Sequence, residues 1–275
     1  MRDILKKHGF NFSKSLGQNF LTDTNVLGRI VAASGVGPDC GCLEIGAGAG
    51  VLTAELAKNC KKVVAVEIDK ALLPVLNETL ADYGNVTIIN RDILKIDINE
   101  LLETEFGDMP VFVTANLPYY ITTPIIMGLL ESRARVQAIT VMVQKEVAER
   151  MAAEAGTAEY GALSVAVQYY TAPHKVCEVP PHCFVPQPKV ASMVIRLDVL
   201  PAPSVVVRDE ALFFDVVRSC FEKRRKTLAN SLSGSTRREF DKAAVFAALE
   251  KMNLPADIRG ERLSVRQFGE LADML

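Results

Sequence analysis

The sequence predicts an open, mostly parallel α/β sheet of the Rossmann-like kind, followed by a small all-α domain. Three observations lead there. Short apolar runs alternate with helical patterns from Cys42 to about residue 154, and a glycine-rich turn joins the first run to the first helix. Beyond Pro201-Ala202-Pro203, only helical periodicity remains. Strands that alternate with helices build a parallel sheet with helices on both faces. The chain of 275 residues is long enough for one large domain and one small one, which we place at 1–200 and 204–275.

Residues 1–21 are basic and glycine-punctuated, with Lys6, Lys7 and Lys14 ahead of Gly17-Gln18-Asn19-Phe20-Leu21. Thr22 and Asp23 can cap a helix whose Val26, Leu27, Ile30 and Val31 share a face. Strands are then expected at 41–45, 62–67, 86–89, 111–115 and 136–143, and helices at 51–59, 70–82, 97–105, 123–131 and 144–154. Two further strands, near 174–179 and 190–197, flank the Pro-rich stretch Pro180 to Pro188 and are expected to add an antiparallel hairpin at the sheet edge. In the small domain, Ser264-x-x-Gln267 has the form of a capping box opening a last helix with Phe268, Leu271 and Leu275 at helical spacing.

Composition excludes several classes. Hydrophobic residues at 49% and charged residues at 23% describe an ordinary globular chain rather than a disordered or fibrous one. Met109 to Leu130 is uncharged and long enough to span a bilayer. It carries Pro110, Pro118 and Pro124 with Thr114, Asn116, Thr122 and Thr123, however, so it reads as strand, turn and helix start, and no membrane segment is expected. Six cysteines without C-x-x-C spacing and only three histidines give no expected metal site, and the thiols are expected to be free in a reducing cytoplasm. The net charge of −2 hides a basic stretch. Between Val217 and Arg238, Arg218, Lys223, Arg224, Arg225, Lys226, Arg237 and Arg238 face Glu222 alone, a local +6. Such a patch on a near-neutral body fits binding of nucleic acid at a defined place, and a solvated helix face is the plainer alternative.

Chemistry concentrates at the expected strand ends. Leu43-Glu44-Ile45-Gly46-Ala47-Gly48-Ala49-Gly50 follows a strand and precedes a helix, where glycines let a cofactor approach the backbone. A dinucleotide fingerprint needs a small residue at 51, and Val51 stands there. The spacing G-x-G-x-G after an acid is the S-adenosylmethionine form of the turn, with no pyrophosphate to cradle. Glu67 ends the next strand, 21 residues past Gly46, where a carboxylate can accept both ribose hydroxyls. Asp92, after the third strand, can accept from an adenine amine. Either acid alone reads as a solvated strand end, but three such features at consecutive strand ends form one site. Asn116-Leu117-Pro118-Tyr119 then follows the apolar run Val111 to Ala115. The amide and a neighbouring backbone carbonyl can accept both hydrogens of an exocyclic amine, and the ring can stack on the base that carries it.

The order glycine turn, Glu67, Asp92, Asn-Leu-Pro-Tyr resembles the class I S-adenosylmethionine-dependent adenine N6-methyltransferases. More narrowly, it resembles the bacterial small-subunit (16S) rRNA adenine dimethyltransferase family, over nearly the whole chain. The stretches that carry this are Gly17 to Leu21, Gln144 to Arg150, Tyr160 to Val165, Phe184 to Val190 with Ser192, and Arg224 to Leu232. The resemblance implies methylation of two adjacent adenines, twice each, in the 3′-terminal hairpin loop of small-subunit rRNA during ribosome assembly. It implies S-adenosylmethionine as cofactor, no metal, an immature small subunit as partner, and a monomer in the cytoplasm. By the same similarity, Asn19 and Leu21 flank the methionine and ribose parts of the cofactor, and Gly46 and Gly48 lie beneath it. Glu67 holds its ribose and Asp92 its adenine, and Ile68 and Ile93 also bind the cofactor. Asn116 contacts both methyl donor and target, Leu117 and Pro118 form the turn, and Tyr119 and Phe184 stack on the flipped adenine. Lys223, Arg224, Arg225, Lys226, Arg237 and Arg238 are the expected rRNA contacts. Many members carry Asn where this chain has Tyr120, a departure in the target pocket. The alternatives are a large-subunit rRNA methyltransferase of the resistance type and an assembly checkpoint acting mainly by binding. A DNA adenine methyltransferase is a more distant reading.

Overall fold

Runs of branched aliphatic residues form the sheet that positions everything else. The computed structural model describes residues 2–13, 16–223 and 225–275. In chain order, α1 (Arg2–Lys7), β1 (Phe20–Leu21) and α2 (Thr24–Ser34) precede the sheet proper. Then come β2 (Gly41–Ile45), α3 (Val51–Ala57), β3 (Lys62–Glu67), α4 (Leu73–Thr79), β4 (Val86–Asn90) and α5 (Ile98–Phe106). β5 (Val111–Asn116), α6 (Thr122–Glu131), β6 (Ala138–Gln144) and α7 (Lys145–Met151) follow. The remaining elements are α8 (Ala162–Tyr170), β7 (Thr171–Val179), β8 (Phe184–Val185), β9 (Ser192–Val199), α9 (Glu210–Glu222), α10 (Leu228–Leu232), α11 (Lys242–Lys251) and α12 (Val265–Ala272).

The large sheet has the strand order β4-β3-β2-β5-β6-β9-β7. β4, β3, β2, β5 and β6 pair in parallel, and β9 runs antiparallel to β6, with Thr140 opposite Arg196. The edge hairpin expected from the two late runs is therefore β9 and β7. From β2 the chain builds outward first through β3 and β4, then on the other side through β5 and β6. That reversal leaves a crevice outside the carboxyl ends of β2 and β5, the place where open sheets bind ligands. Leu43, Val63, Val64, Ala65 and Val113 are fully buried, as strands covered on both faces must be.

Local chemistry sets the ends of the elements. Asp23, rather than Thr22, caps α2, its carboxylate accepting from the Asn25 and Val26 N–H groups, and Gly35 closes the helix at φ 77°. The expected helix at 70–82 is a 3₁₀ turn, Lys70–Leu72, followed by α4, because Pro74 fits only the first turn of a new helix. Ser264 and Gln267 bond reciprocally at the start of α12, the capping box that the sequence predicts. Met109 to Leu130 folds as β5, a turn and α6, and no helix among the described residues is long and apolar enough to cross a membrane.

The chain forms two units, Met1–Ala148 with His174–Val199, and Glu149–Pro173 with Leu200–Leu275. Unlike a division at residue 200, these units group α8 and its approach with the C-terminal helices. Aromatic burial is the reason. The Tyr169 ring stacks on Phe213 at 4.8 Å and Tyr170 on Phe214 at 5.8 Å. Both phenols donate to the Glu210 carboxylate at the start of α9, and the buried Tyr160 hydroxyl donates to the Leu263 carbonyl at 2.9 Å. A hydrophobic sequence run only says that it is buried; its partners here come from α9 and from Leu263.

Candidate active site

The glycine turn owes its shape to backbone conformation. Gly46, Gly48 and Gly50 take φ of 79°, 58° and 80°, a region that residues with a Cβ rarely occupy. At Gly48 an added Cβ would also lie 3.3 Å from the Phe20 ring. The turn lines the floor of one cavity at the carboxyl ends of the strands. Also lining it are Asn19 and Leu21, Glu67 and Ile68, Asp92 and Ile93, and Asn116 through Tyr119. Every residue expected to meet the cofactor is thus brought to one place.

Hydrogen bonds fix the acids. The Glu67 carboxylate accepts from the Gly48 N–H through one oxygen and from the Asp69 N–H through the other, both at 2.8 Å. Each oxygen keeps a lone pair for a further donor. Burial raises the Glu67 carboxyl above its ordinary range, against those two N–H bonds. Asp92 caps its own 3₁₀ turn by accepting from Leu94 N–H, and Asn90 ties the end of β4 to the Glu67 carbonyl at 2.7 Å. Glu44, just before the glycines, is 1% exposed, and its Oε2 has no hydrogen-bond partner among the described residues. Burial, with the Glu67 charge nearby, pushes its carboxyl up to about 8. A buried carboxyl oxygen left without a partner beside the cavity is a polar group that a bound ligand could satisfy. The acid before G-x-G-x-G was visible in the sequence, but its burial was not.

The amide of Asn116 is oriented by a partner that can only accept. Its Nδ2 donates to the Asn19 carbonyl at 3.0 Å, so Oδ1 is turned away from that carbonyl. The Pro118 carbonyl accepts from Ile121 N–H and from the Thr122 hydroxyl, closing the turn that follows. Tyr119 lines the cavity half-buried, and its phenol shares a 2.8 Å hydrogen bond with the buried Ser192 hydroxyl of β9. Phe184 is the exception. Its ring is 1% exposed, in a core cluster with Leu21, Met142 and Val194, and it does not line the cavity. The cause is β8, which pairs Phe184 with Leu21 of β1. The two-ring sandwich expected from Tyr119 and Phe184 is not assembled in this structure. Tyr120, 58% exposed, and the buried Phe20 are the other rings that line the cavity.

In the helical unit, Lys223, Arg225, Lys226, Arg237 and Arg238 are exposed, while Arg224 lies outside the described residues. Part of the cluster is committed locally. Lys223 donates to the Gly234 carbonyl, the Arg237 guanidinium lies 3.8 Å from Glu222, and Arg238 sits over the Phe240 ring. No group of three His, Cys, Asp or Glu among the described residues could hold a metal ion.

A glycine turn, a carboxylate set for a ribose and a further acid, at the ends of β2, β3 and β4 in this strand order, define a class I S-adenosylmethionine-dependent methyltransferase. The comparisons narrow the class. Residues 9–269 match the family described as ribosomal RNA adenine dimethylase. Proteins of Bacillus cereus and Bacillus anthracis named ribosomal RNA small subunit methyltransferase A are 52% identical over 276 residues, covering 100% of this chain and 94% of theirs. Among solved structures, a dimethyladenosine transferase from Plasmodium falciparum aligns at TM-score 0.73 and 27% identity, over 92% of this chain and 95% of that one. The 23S rRNA methyltransferase ErmE aligns at 0.71 and 27%, over 94% and 99%. The chain belongs to the ribosomal RNA adenine dimethylase family, and it is an S-adenosylmethionine-dependent methyltransferase.

Proposed function

We infer that this enzyme dimethylates the N6 amino groups of two adjacent adenines in the 3′-terminal hairpin loop of small-subunit rRNA, acting as a cytoplasmic monomer on an immature subunit. The observation that carries the chemistry is the Asn116 amide, held by its Nδ2 at the lip of the cofactor cavity with Oδ1 left to accept. The choice of subunit rests on the 52% identity to proteins named for the small subunit, against 27% to the 23S rRNA enzyme.

When bound, S-adenosylmethionine supplies an electrophilic methyl group on a sulfonium. Glu67 would accept from the ribose hydroxyls and Asp92 from the adenine amine, with Ile68 and Ile93 beside them lining the same cavity. Asn19 and Leu21 would flank the remainder, and Gly46 and Gly48 would let it approach the backbone. The target amine is a weak nucleophile because its lone pair is delocalised into the base. Asn116 Oδ1 and the Leu117 carbonyl accept its two hydrogens, since the Pro118 carbonyl already closes its own turn. That pair of acceptors would favour a pyramidal nitrogen with its lone pair free to take the methyl group, and the amine proton can leave afterwards to water. The residues contribute orientation and preorganised dipoles rather than a strong base. Tyr119 stacks on the flipped base, and such stacking, at ~1–3 kcal/mol per ring, offsets part of the few kcal/mol that flipping costs.

Mass mapping of small-subunit rRNA from cells lacking this protein tests the reading. Two adjacent adenines in the 3′ hairpin should lose both methyl groups and regain them on complementation. Full dimethylation in the deletion strain would refute it.

A further inference from the structure

The segment from Leu16 to Leu21 touches both halves of the site. Gln18 anchors it: its Oε1 accepts from Ser13 N–H at 2.8 Å and its Nε2 donates to Asp69 Oδ2 at 2.7 Å. Asp69 is itself joined to the cofactor side of the cavity, because its N–H donates to Glu67 Oε1 while its Oδ1 accepts from Ala71 N–H. At the other side, the Asn19 carbonyl accepts from Asn116 Nδ2, and a Cβ on Gly17 would lie 3.3 Å from the Tyr120 ring and 3.6 Å from Pro118. A continuous path of contacts therefore runs from Glu67 through Asp69, Gln18 and Asn19 to Asn116.

We propose that Gln18 is a positioning residue for methyl transfer: by tying this segment to Asp69 it holds the Asn19 carbonyl against the Asn116 amide and so fixes which end of that amide meets the target amine. A flipped amide would set Oδ1 against the Asn19 carbonyl, two acceptors face to face, so the carbonyl selects one orientation as long as it stays in place. Gln18 needs no contact with cofactor or base to do this. The proposal rests on the reading of Asn116 given above.

The polarity of the Gln18–Asp69 contact supplies the test. Gln18→Glu puts two carboxylates together, and Asp69→Asn puts an amide donor where Gln18 already donates. The exchange Gln18→Glu with Asp69→Asn reverses donor and acceptor while keeping the Ser13 and Ala71 contacts. In single-turnover methylation of unmethylated small subunits at saturating S-adenosylmethionine, each single change should slow transfer about tenfold, and the exchange should return the rate to within about threefold of wild type. Gln18→Ala should cost about tenfold in the wild-type background and less than about twofold beside Asn116→Ala, since coupled residues are non-additive. No rescue by the exchange, or an equal loss from Gln18→Ala in both backgrounds, would overturn the role of Gln18. A near-wild-type rate for Asn116→Ala alone would instead overturn the reading on which it rests.

Discussion

Glu44 is the residue whose environment departs furthest from what its type prefers, and it makes a pH-dependent prediction. Its carboxyl is held at about 8 in the fold, against about 4.5 in an unfolded chain, so the folded state binds the extra proton between those values. The stability that this proton contributes is complete below about pH 4.5 and is lost as pH rises towards 8. At roughly 1.4 kcal/mol per unit, the loss by pH 8.5 amounts to a few kcal/mol. Glu44→Gln, neutral throughout, should melt progressively above the wild-type protein as pH rises from 6 to 8.5 without cofactor. Parallel melting profiles would contradict the assignment. Residue types at strand ends were enough to nominate Glu67, Asp92 and Asn116, which line one cavity, because these end apolar runs that the sequence makes obvious. The burial of Phe184 was not legible, because its pairing with Leu21 depends on a contact 163 positions away that no local pattern reports. The proposed role of Gln18 and Asp69 was not legible because it lies in a hydrogen bond between distant loops.

Among the elements, the central strands were legible to within a residue or two, since buried parallel strands are continuous apolar runs. What was missed had no period to read. β1 and β8 are two residues each, and α8 is buried nearly all round, so it shows no polar face. The motif Tyr160 to Val165 thereby gains a structural account. Tyr160 bonds the Leu263 carbonyl, and the Ser164 hydroxyl joins the Gly161 N–H to the Arg150 carbonyl. Tyr160→Phe keeps the ring and strands the buried carbonyl, so it should destabilise the helical unit by ~1–3 kcal/mol. Thermal melting should show that loss while cofactor affinity, measured by titration, stays at the wild-type value. A weakened cofactor affinity with unchanged melting would contradict a purely architectural role.

For the whole molecule, the proposed division of labour puts cofactor and chemistry on the sheet unit and phosphate contacts on the helical one. Arg225, Lys226 and Arg238 are exposed there on a chain whose net charge is only −2. Each phosphate contact contributes about 0.7–0.9 to the slope of log affinity against log salt. Changing the three to Ala should therefore flatten the slope for small-subunit binding by about 2–3 and leave the cofactor affinity alone. An unchanged slope with a lowered melting point would assign the cluster to architecture, as the local bonds of Lys223 and Arg237 already do in part. One amide, set at the end of β5, is proposed to activate the target nitrogen, and single-turnover methylation of unmethylated small subunits by Asn116→Ala measures what it contributes. The account predicts a rate lower by roughly 10²–10³, by analogy with loss of one preorganised polar group, in a protein that melts like wild type. A near-wild-type rate in that folded variant would contradict it.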